Sequence, residues 1–470
     1  MKLIRSLKLF DIVLLNVTAI IGFRWIALAA AGGNTSMVLW IAALLLFFIP
    51  LAFAVIELTS RLPGEGGVYL WTKKAFGEFH GFMSGWCYWS SNLIYFPHTL
   101  IFWAGISVFV IGDGFQAIGD NKSYVLLFSL LILGIMILFN FIGLKIGKWV
   151  NNIGGIGLWL AATILIIFGV VAIIKFGVAN PMPIESFFTN IFSLDKLRVF
   201  AYLCFGFAGL ELASVLAEEI KNPRKVIPKA TIYSGVIITI VYLLGTFSIL
   251  VTLPASEINI ISGFMQGISA IATKLGLERA SQFIALFITL GGIGGLMAWF
   301  MGAARMPFVA GVDKYLPYQF GKIHPKFGTP YVAIFVQGAI AIGFLFMGFV
   351  GSTVKDAYLV LLDTSLLVYF VPYLYMFSAY IVIRNKNIKE NDNNISILQN
   401  RMIAKIVGLV GLLTTLFAMI LNLVPSPSTS NIMLHEIKVI GGFSVFILVG
   451  AGIYWWGKNQ KFKTKILIPK

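Results

Sequence analysis

Apolar blocks of roughly twenty residues recur along the whole chain, and they limit the possible folds more than any other feature. A helix rises about 1.5 Å per residue, so about twenty residues cross the ~30 Å hydrocarbon layer of a bilayer. Closed β-barrels also satisfy their backbone in lipid, but their strands are short and alternate apolar with polar residues. The run from Ile41 to Leu51 does not alternate. The pattern therefore predicts an all-α polytopic membrane protein.

The blocks predict about twelve membrane-spanning helices. Hydrophobic residues make up 59% of the 470 residues, charged residues 11%, and the mean hydropathy is +0.92, so lipid rather than water surrounds most of the protein. The first block resembles a signal peptide, but a second long block follows closely, so we interpret it as a retained helix. The predicted spans are 10–30, 37–58, 81–110, 124–142, 154–174, 199–219, 230–253, 281–303, 331–350, 357–383, 404–424 and 439–456.

The distribution of positive charge predicts the orientation in the membrane. The net charge is +16, and lysines and arginines concentrate in alternate segments between the blocks and in both terminal segments. The positive-inside rule therefore predicts that both termini lie in the cytoplasm. There the cations meet anionic lipid, which argues against nucleic acid as a partner.

Motifs for metal, nucleotide or covalent chemistry are absent from the sequence. The two cysteines fall within predicted spans and the four histidines are scattered, so no spacing typical of a zinc site occurs. Neither a P-loop nor a Gly-x-Ser-x-Gly elbow is present. We therefore expect no metal, no cofactor and no enzymatic activity. These residues are Cys87, Cys204, His80, His98, His324 and His435.

Two predicted spans contain residues that interrupt an apolar helix. The first carries Gly22 and then Arg24, a guanidinium within an apolar run, and the sixth carries two glycines followed by Glu211. Such residues mark positions where backbone leaves the helix around a cavity. Interruptions at matching positions of two halves predict a substrate site near the membrane midplane. The alternative is that the glycines only allow close helix packing.

Further motifs follow one another in the order of the spans. A turn rich in proline and glycine leads from Glu57 to Tyr69, the third span carries Gly85-Trp86-Cys-Tyr88-Trp89, and Asn222-Pro223 ends the sixth. Together they resemble the amino acid–polyamine–organocation (APC) superfamily, including its arginine–agmatine and lysine–cadaverine antiporters. The motifs occupy residues 57–69, 75–77, 85–89, 218–230, 305–330 and 371–375.

The resemblance implies a leucine-transporter-like fold, with a five-plus-five inverted repeat and two peripheral helices. Glu218 and Glu219 beside a row of cations predict a cytoplasmic salt-bridge cluster. The implied segments are a cytoplasmic N-terminus (1–9), the first repeat (10–174), the second repeat (199–383), a cytoplasmic linker (384–403), peripheral helices 11 and 12 (404–456) and a basic cytoplasmic tail (457–470).

The resemblance also implies a site between spans 1, 3, 6, 8 and 10. In the superfamily the break of span 1 binds the substrate carboxylate and the carbonyl end at the break of span 6 binds the amine, as helix-end dipoles favour. The implied coupling and gating residues are Glu211, as the protonation site or gate carboxylate, with Tyr88, Phe205 and Trp299. The implied substrate contacts are Ile21, Gly22, Phe23, Arg24, Tyr88, Phe205, Gly206, Ala208, Gly209, Trp299, Asp363 and Ser365.

Arg24 departs from the superfamily pattern, which usually has glycine at this position. A guanidinium can bind a carboxylate through two hydrogen bonds and repels cationic substrates, which favours neutral or acidic amino acids. The alternative is an internal ion pair, for which Asp363 is an available partner. Asp363 could instead hold a substrate amine. A fixed positive charge beside the break also predicts transport that is independent of sodium.

The sequence therefore predicts a secondary active transporter of amino acids in the cytoplasmic membrane, proton-coupled or an exchanger, that works by alternating access. The alternatives are a polyamine or amine transporter, and an amino acid sensor that keeps the fold but moves no solute. The expected partners are a small-molecule substrate, protons and membrane lipid.

Overall fold

A computed structural model describes residues 8–62, 67–142, 144–215, 220–312, 315–386, 398–425, 429 and 431–466. Helices and no β-strand form within these ranges, which confirms the all-α prediction. The predicted Glu218–Glu219 cluster, most of the linker 384–403 and the extreme ends of both tails lie outside the described residues.

Ten helical stretches within the described residues are long and apolar enough to cross a membrane, among them Thr35–Arg61, and an eleventh span forms if Leu9–Ile20 and Phe23–Ala31 are counted as one bent helix. The axes of this pair differ by 43°. The predicted sixth span, 199–219, contains two shorter helices on either side of residues 207–211. Irregular backbone thus occurs in both spans where the sequence predicts an interruption.

The helices are numbered in chain order, and a π-helical turn, Leu44–Phe48, joins α3 to α4. They are α1 (Leu9–Ile20), α2 (Phe23–Ala31), α3 (Thr35–Ala43), α4 (Ile49–Arg61), α5 (Val68–Phe76), α6 (Glu78–Ser107), α7 (Lys122–Ile142), α8 (Leu144–Phe176), α9 (Leu194–Gly206), α10 (Leu212–Val215), α11 (Pro223–Thr252), α12 (Gly263–Lys274), α13 (Glu278–Val312), α14 (Tyr331–Phe349), α15 (Val354–Asn385), α16 (Arg401–Leu423) and α17 (Ile432–Ile466).

The chain divides into two compact units. Each unit takes segments from both predicted five-helix repeats, and the repeat boundaries stay a prediction. Unit 1 comprises Met1–Ser84, Leu160–Ser281 and Phe370–Pro427, and unit 2 comprises Gly85–Trp159, Gln282–Tyr369 and Ser428–Lys470.

Unit 1 is built around the packing of α1 along α11. Ile12 of α1 lies in a buried apolar cluster with Ala213 and Ile227. Beside this cluster the side-chain amide of Asn16 donates to the hydroxyl of Ser234 at 3.1 Å. Because an unpartnered buried polar group is costly, this hydrogen bond favours one register of α1 against α11.

Unit 2 is built from helices that side-chain amides connect. Gln337 of α14 donates from Nε2 to the carbonyl of Phe300 at 2.9 Å, and its Oε1 accepts a hydrogen bond from Trp89 Nε1 at 3.2 Å. Asn140 of α7 donates to the carbonyl of Met297 at 3.3 Å. These hydrogen bonds join α6, α7, α13 and α14, so the register between these helices is fixed by polar groups within an apolar unit.

Candidate substrate-binding site

The first break separates α1 from α2 at Ile21 and Gly22. Both residues have extended backbone, with φ/ψ of −64°/111° and −122°/118°. Phe23 and Arg24 open α2 and are buried, while Ile21 and Gly22 are half-buried. The first N–H groups of a helix have no acceptor within that helix, so the positive end of the α2 dipole lies at this break.

The second break separates α9 from α10 between Gly206 and Leu212. Gly209 has a φ of +127°, which side-chain-bearing residues rarely adopt, and a Cβ there would lie 3.0 Å from Ile20 Cγ1. The N–H of Ala208, which is half-buried, donates to the carbonyl of Phe205 at 3.1 Å. Only glycine therefore fits the turn at residue 209 without strain, and the carbonyl end of α9 lies at this break.

Trp25 lies against both breaks. A Cβ on Gly22 would lie 2.9 Å from its ring, and a Cβ on Gly206 would lie 3.1 Å from it. The ring of Phe205 meets Trp25 edge-on, with centroids 5.3 Å apart. The guanidinium carbon of Arg24 lies 4.5 Å from the centroid of the Trp25 ring, a cation–π distance. Predicted site residues from both breaks, Gly22, Arg24, Phe205 and Gly206, thus surround one indole.

The hydroxyl of Tyr242 on α11 joins the two breaks directly. Its oxygen lies 2.5 Å from the carbonyl oxygen of Ile20, 2.8 Å from that of Gly206 and 3.3 Å from the amide nitrogen of Gly22. The hydroxyl has one proton, which the two carbonyls share, and its oxygen accepts from the amide. Tyr242 is fully buried, and its ring stacks on Trp40 with centroids 4.4 Å apart. One side chain therefore satisfies backbone groups that both breaks release.

Tyr373 of α15 also forms hydrogen bonds at a break, with Gly209 and Glu211 of the second one. Its hydroxyl donates to Glu211 Oε2 at 2.6 Å and accepts from the N–H of Gly209 at 2.8 Å. Glu211 is fully buried, and its carbonyl accepts from the hydroxyl of Ser214 at 2.5 Å. The predicted coupling carboxylate is thus hydrogen-bonded to a phenol that also binds the backbone of the turn at Gly209.

In unit 2, the predicted gate residues Tyr88 and Trp299 are linked through Asn92. Trp299 Nε1 donates to Asn92 Oδ1 at 2.5 Å, and Asn92 Nδ2 donates to the carbonyl of Tyr88 at 2.6 Å. The Tyr88 ring packs against Tyr369 with centroids 5.6 Å apart. Trp299 is half-buried and Tyr88 is buried. Asn92 therefore fixes the indole of α13 against α6.

Asp363 and Ser365, the predicted site residues of α15, have partners on different helices of unit 2. Asp363 Oδ2 lies 3.1 Å from His435 Nε2 of α17, and both residues are buried. The hydroxyl of Ser365 donates to the carbonyl of Ser91 on α6 at 3.3 Å. Asp363 thus has an ionisable partner that the sequence did not predict, and its pairing with Arg24 or with a substrate amine stays a prediction.

Tyr242, Trp25 and His435 are site or partner residues that the sequence did not predict. Tyr242 is the single phenol of residues 236–244, which are apolar apart from it and Thr239, and a phenol in mid-span was the available signal. Trp25 directly follows Arg24 in the sequence, but its position in the chain does not indicate that its indole contacts Gly22 and Gly206. His435 is one of four scattered histidines, and only the packing of α17 brings it to Asp363.

Comparison with known proteins identifies the chain. The sequence profile described as "Amino acid permease" matches residues 7–443, which include both breaks and nearly every described helix. The chain belongs to the amino acid permease family. Membership confirms the predicted superfamily and transport class, and this permease is accordingly a multi-pass membrane protein.

Several relatives align over most of this permease. An uncharacterized transporter of Legionella pneumophila is 29% identical over 95% of this chain and 96% of its own. A probable agmatine/putrescine antiporter of Lactococcus lactis is 23% identical over 94% and 93%. A branched-chain amino acid permease of Bacillus subtilis is 29% identical over 72% and 73%. The relatives thus include a permease named for amino acids and an antiporter named for amines.

Proposed function

We propose that this permease is a secondary transporter that moves amino acids by alternating access, with the substrate bound at the two breaks of unit 1. The observation that carries the proposal is the Tyr242 hydroxyl, which brings the positive end of α2 and the carbonyl end of α9 to a single oxygen atom. An α-amino acid carries its carboxylate and its ammonium on one carbon. Two helix ends of opposite polarity, placed together, match these two charges.

The substrate carboxylate binds at the first turn of α2. There the N–H groups of Phe23 and Arg24 belong to the positive end of the helix, and the Arg24 guanidinium supplies a fixed charge. The substrate ammonium binds at the carbonyl end of α9, where each carbonyl oxygen can accept a second hydrogen bond. Phe205 forms the aromatic wall beside the substrate. Its ring meets Trp25 edge-on, and its centroid lies 5.8 Å from the centroid of the Phe370 ring.

The predicted contacts in unit 2 complete the proposal. By resemblance, Tyr88, Trp299 and Ser365 contact the substrate, and Tyr88 and Trp299 act as gates. Glu211 is the coupling group, because a fully buried carboxylate that accepts a phenol hydrogen bond is a site where protonation changes local structure. Either proton coupling or exchange is consistent with this assignment, and the fixed charge of Arg24 predicts transport without sodium.

Transport by purified protein in liposomes tests the proposal. We expect saturable uptake of neutral or acidic amino acids that a proton gradient or internal amino acid accelerates. Substrate binding without flux would indicate the sensor alternative. Uptake that rises linearly with concentration would indicate a pore. Sodium-stimulated uptake would contradict the fixed-charge role of Arg24.

An amine transporter is the second candidate, because a relative that aligns over 94% of the chain is a probable agmatine/putrescine antiporter. Arg24 argues against it, since a buried guanidinium at the break repels a cation. Competition separates the two: amino acids should displace labelled substrate, while their esters and decarboxylated analogues should not. High affinity for a diamine that lacks a carboxylate would replace the amino acid proposal with the amine one.

The role of Arg24 is tested by Arg24→Lys. An ammonium loses the two-pronged carboxylate contact, so substrate affinity should fall by about tenfold or more, equivalent to about 1.4 kcal/mol. Arg198→Lys is the matched control, because Arg198 is a buried arginine of α9 whose Nη2 donates to the Tyr202 hydroxyl at 2.7 Å. Retained affinity in Arg24→Lys, together with instability of Arg24→Ala that Asp363→Asn relieves, would indicate an internal pair instead.

A further inference from the structure

Residues 177–193 connect α8 to α9, and we call them the α8–α9 loop. Three of its large apolar side chains are displayed outward: Ile184 is 75% exposed, Phe188 is 56% exposed and Phe192 is 85% exposed. They occur at every fourth position of the chain, and Ile184 begins a 3-10 turn that ends at Phe187. Surface loops facing water rarely display a row of large apolar groups, so this row indicates an apolar partner.

The opposite side of the loop is bound to unit 1 by polar contacts. Asn34 donates from Nδ2 to the carbonyl of Pro181 and to the hydroxyl of Ser186, both at 2.9 Å. Asn180 donates to the carbonyls of Leu250 at 2.5 Å and Leu253 at 2.7 Å. The loop is therefore held to the ends of α3 and α11 by polar contacts, while Ile184, Phe188 and Phe192 stay exposed.

The α8–α9 loop directly follows a helical stretch that is long and apolar enough to cross a membrane. The preceding helix α8 exposes Val170, Ile174 and Phe176 in the span 159–176, and Val178 extends this surface into the loop. In a membrane-spanning helix such an exposed apolar stripe meets acyl chains. Because the loop begins at the end of this candidate span, lipid is the apolar partner that lies nearest to it in the chain.

We propose that the α8–α9 loop lies in the bilayer interface, with Ile184, Phe188 and Phe192 inserted among the lipids. Short amphipathic elements with aromatic residues on the apolar side bind at this depth. The insertion would anchor the start of α9, because the loop ends one residue before Leu194. Lys196 of α9 donates to the carbonyl of Gly32 at the end of α2. The inserted loop is thus connected to α9 and, through Lys196, to α2. In both helices the connection is at the end that lies away from the break.

Site-directed fluorescence in liposomes tests the insertion. Both native cysteines, Cys87 and Cys204, are fully buried, so a single introduced cysteine is the reactive thiol. Phe192→Cys, labelled with an environment-sensitive dye, should show blue-shifted emission and severalfold stronger quenching by lipids that carry a nitroxide near the headgroup than by aqueous iodide. Glu185→Cys is the matched control, because Glu185 is an exposed charged residue of the same loop, and it should show the opposite preference.

Two results would overturn the proposal. Equal iodide quenching at positions 185 and 192 would place the apolar row in water. Efficient disulfide formation between Phe192→Cys copies at high lipid-to-protein ratio would assign the row to a second copy of the chain. Neither measurement depends on substrate or flux, so the outcome is independent of the transport proposal.

The anchoring role is tested separately, by transport in liposomes and substrate binding in detergent. The double variant Phe188→Ser with Phe192→Ser should transport severalfold more slowly in liposomes and bind substrate in detergent as the unmodified protein does. An unchanged transport rate would overturn the anchoring role. Reduced binding in detergent would show that the serines disturb unit 1 itself, which would also contradict a role exerted through lipid.

Discussion

The two units of this permease satisfy their buried polar groups in different ways. Unit 1 contains both helix breaks, and phenol hydroxyls of Tyr242 and Tyr373 satisfy the backbone groups that the breaks release. The described helices of unit 2 have no such break, and amide and indole side chains such as Gln337 and Trp299 connect one helix to another. In an apolar setting, both arrangements supply hydrogen-bond partners to buried polar groups.

The difference predicts how each unit responds to substitution. A broken helix exposes backbone dipoles to a ligand, but it depends on a small number of hydrogen bonds from other helices. A continuous helix satisfies its own backbone, so the loss of one side-chain contact is less damaging. We therefore expect unit 1 to respond strongly to the loss of single atoms and unit 2 to respond weakly.

The largest effect is expected for Tyr242→Phe. This change removes one oxygen atom and leaves up to three backbone groups without that partner, at about 1–3 kcal/mol for each unsatisfied group. Thermal unfolding should shift to lower temperature and transport should fall to near background. Tyr233→Phe is the control, because Tyr233 lies on the same helix and is exposed. Normal transport by Tyr242→Phe would show that the breaks do not depend on this hydroxyl.

Gly209→Ala is expected to follow. A non-glycine residue at φ +127° costs about 1–3 kcal/mol, and the added Cβ would lie 3.0 Å from Ile20. In unit 2, Gly134 of α7 has open space around its Cβ position, so Gly134→Ala should be neutral or stabilising by up to about 1 kcal/mol. Unfolding in detergent measures both, and equal destabilisation would remove the contrast between the units.

Glu211→Gln should change coupling more than stability. Glutamine keeps a carbonyl acceptor for the Tyr373 hydroxyl, so the fold should persist, but the side chain cannot take up or release a proton. Exchange measured across a range of external pH should lose its pH dependence. Tyr373→Phe provides the companion measurement, because it removes the phenol but keeps the carboxylate. A Glu211→Gln profile that matches the unmodified protein would assign coupling to another group.

The smallest effect is expected for Trp299→Phe in unit 2. It removes one hydrogen bond, from the indole to Asn92, worth about 0.5–1.5 kcal/mol, and keeps an aromatic ring. Saturable transport should continue with a modest change in apparent affinity. If instead transport is abolished, Trp299 has a role in the gate that an aromatic ring alone does not fulfil, and the contrast between units becomes weaker.

Much of the fold follows from the sequence because membrane insertion depends on local composition. Blocks of apolar residues specify helices wherever they occur, and Gly22, Gly206 and Gly209 specify where a helix can end inside the membrane. The motifs in chain order were sufficient to predict the superfamily, which the family match over residues 7–443 confirms. These signals lie within short segments and need no information on distant contacts.

The partners of the breaks were decided by tertiary structure alone. Tyr242 lies more than two hundred residues from Ile20, and Tyr373 lies 162 residues from Glu211. The same holds for Asp363, whose contact with His435 depends on how α17 packs against α15. The sequence determines which backbone groups must be satisfied, but a hydrogen bond requires a donor and an acceptor within about 3 Å. Only the packing of whole helices brings groups so distant in the chain to that separation.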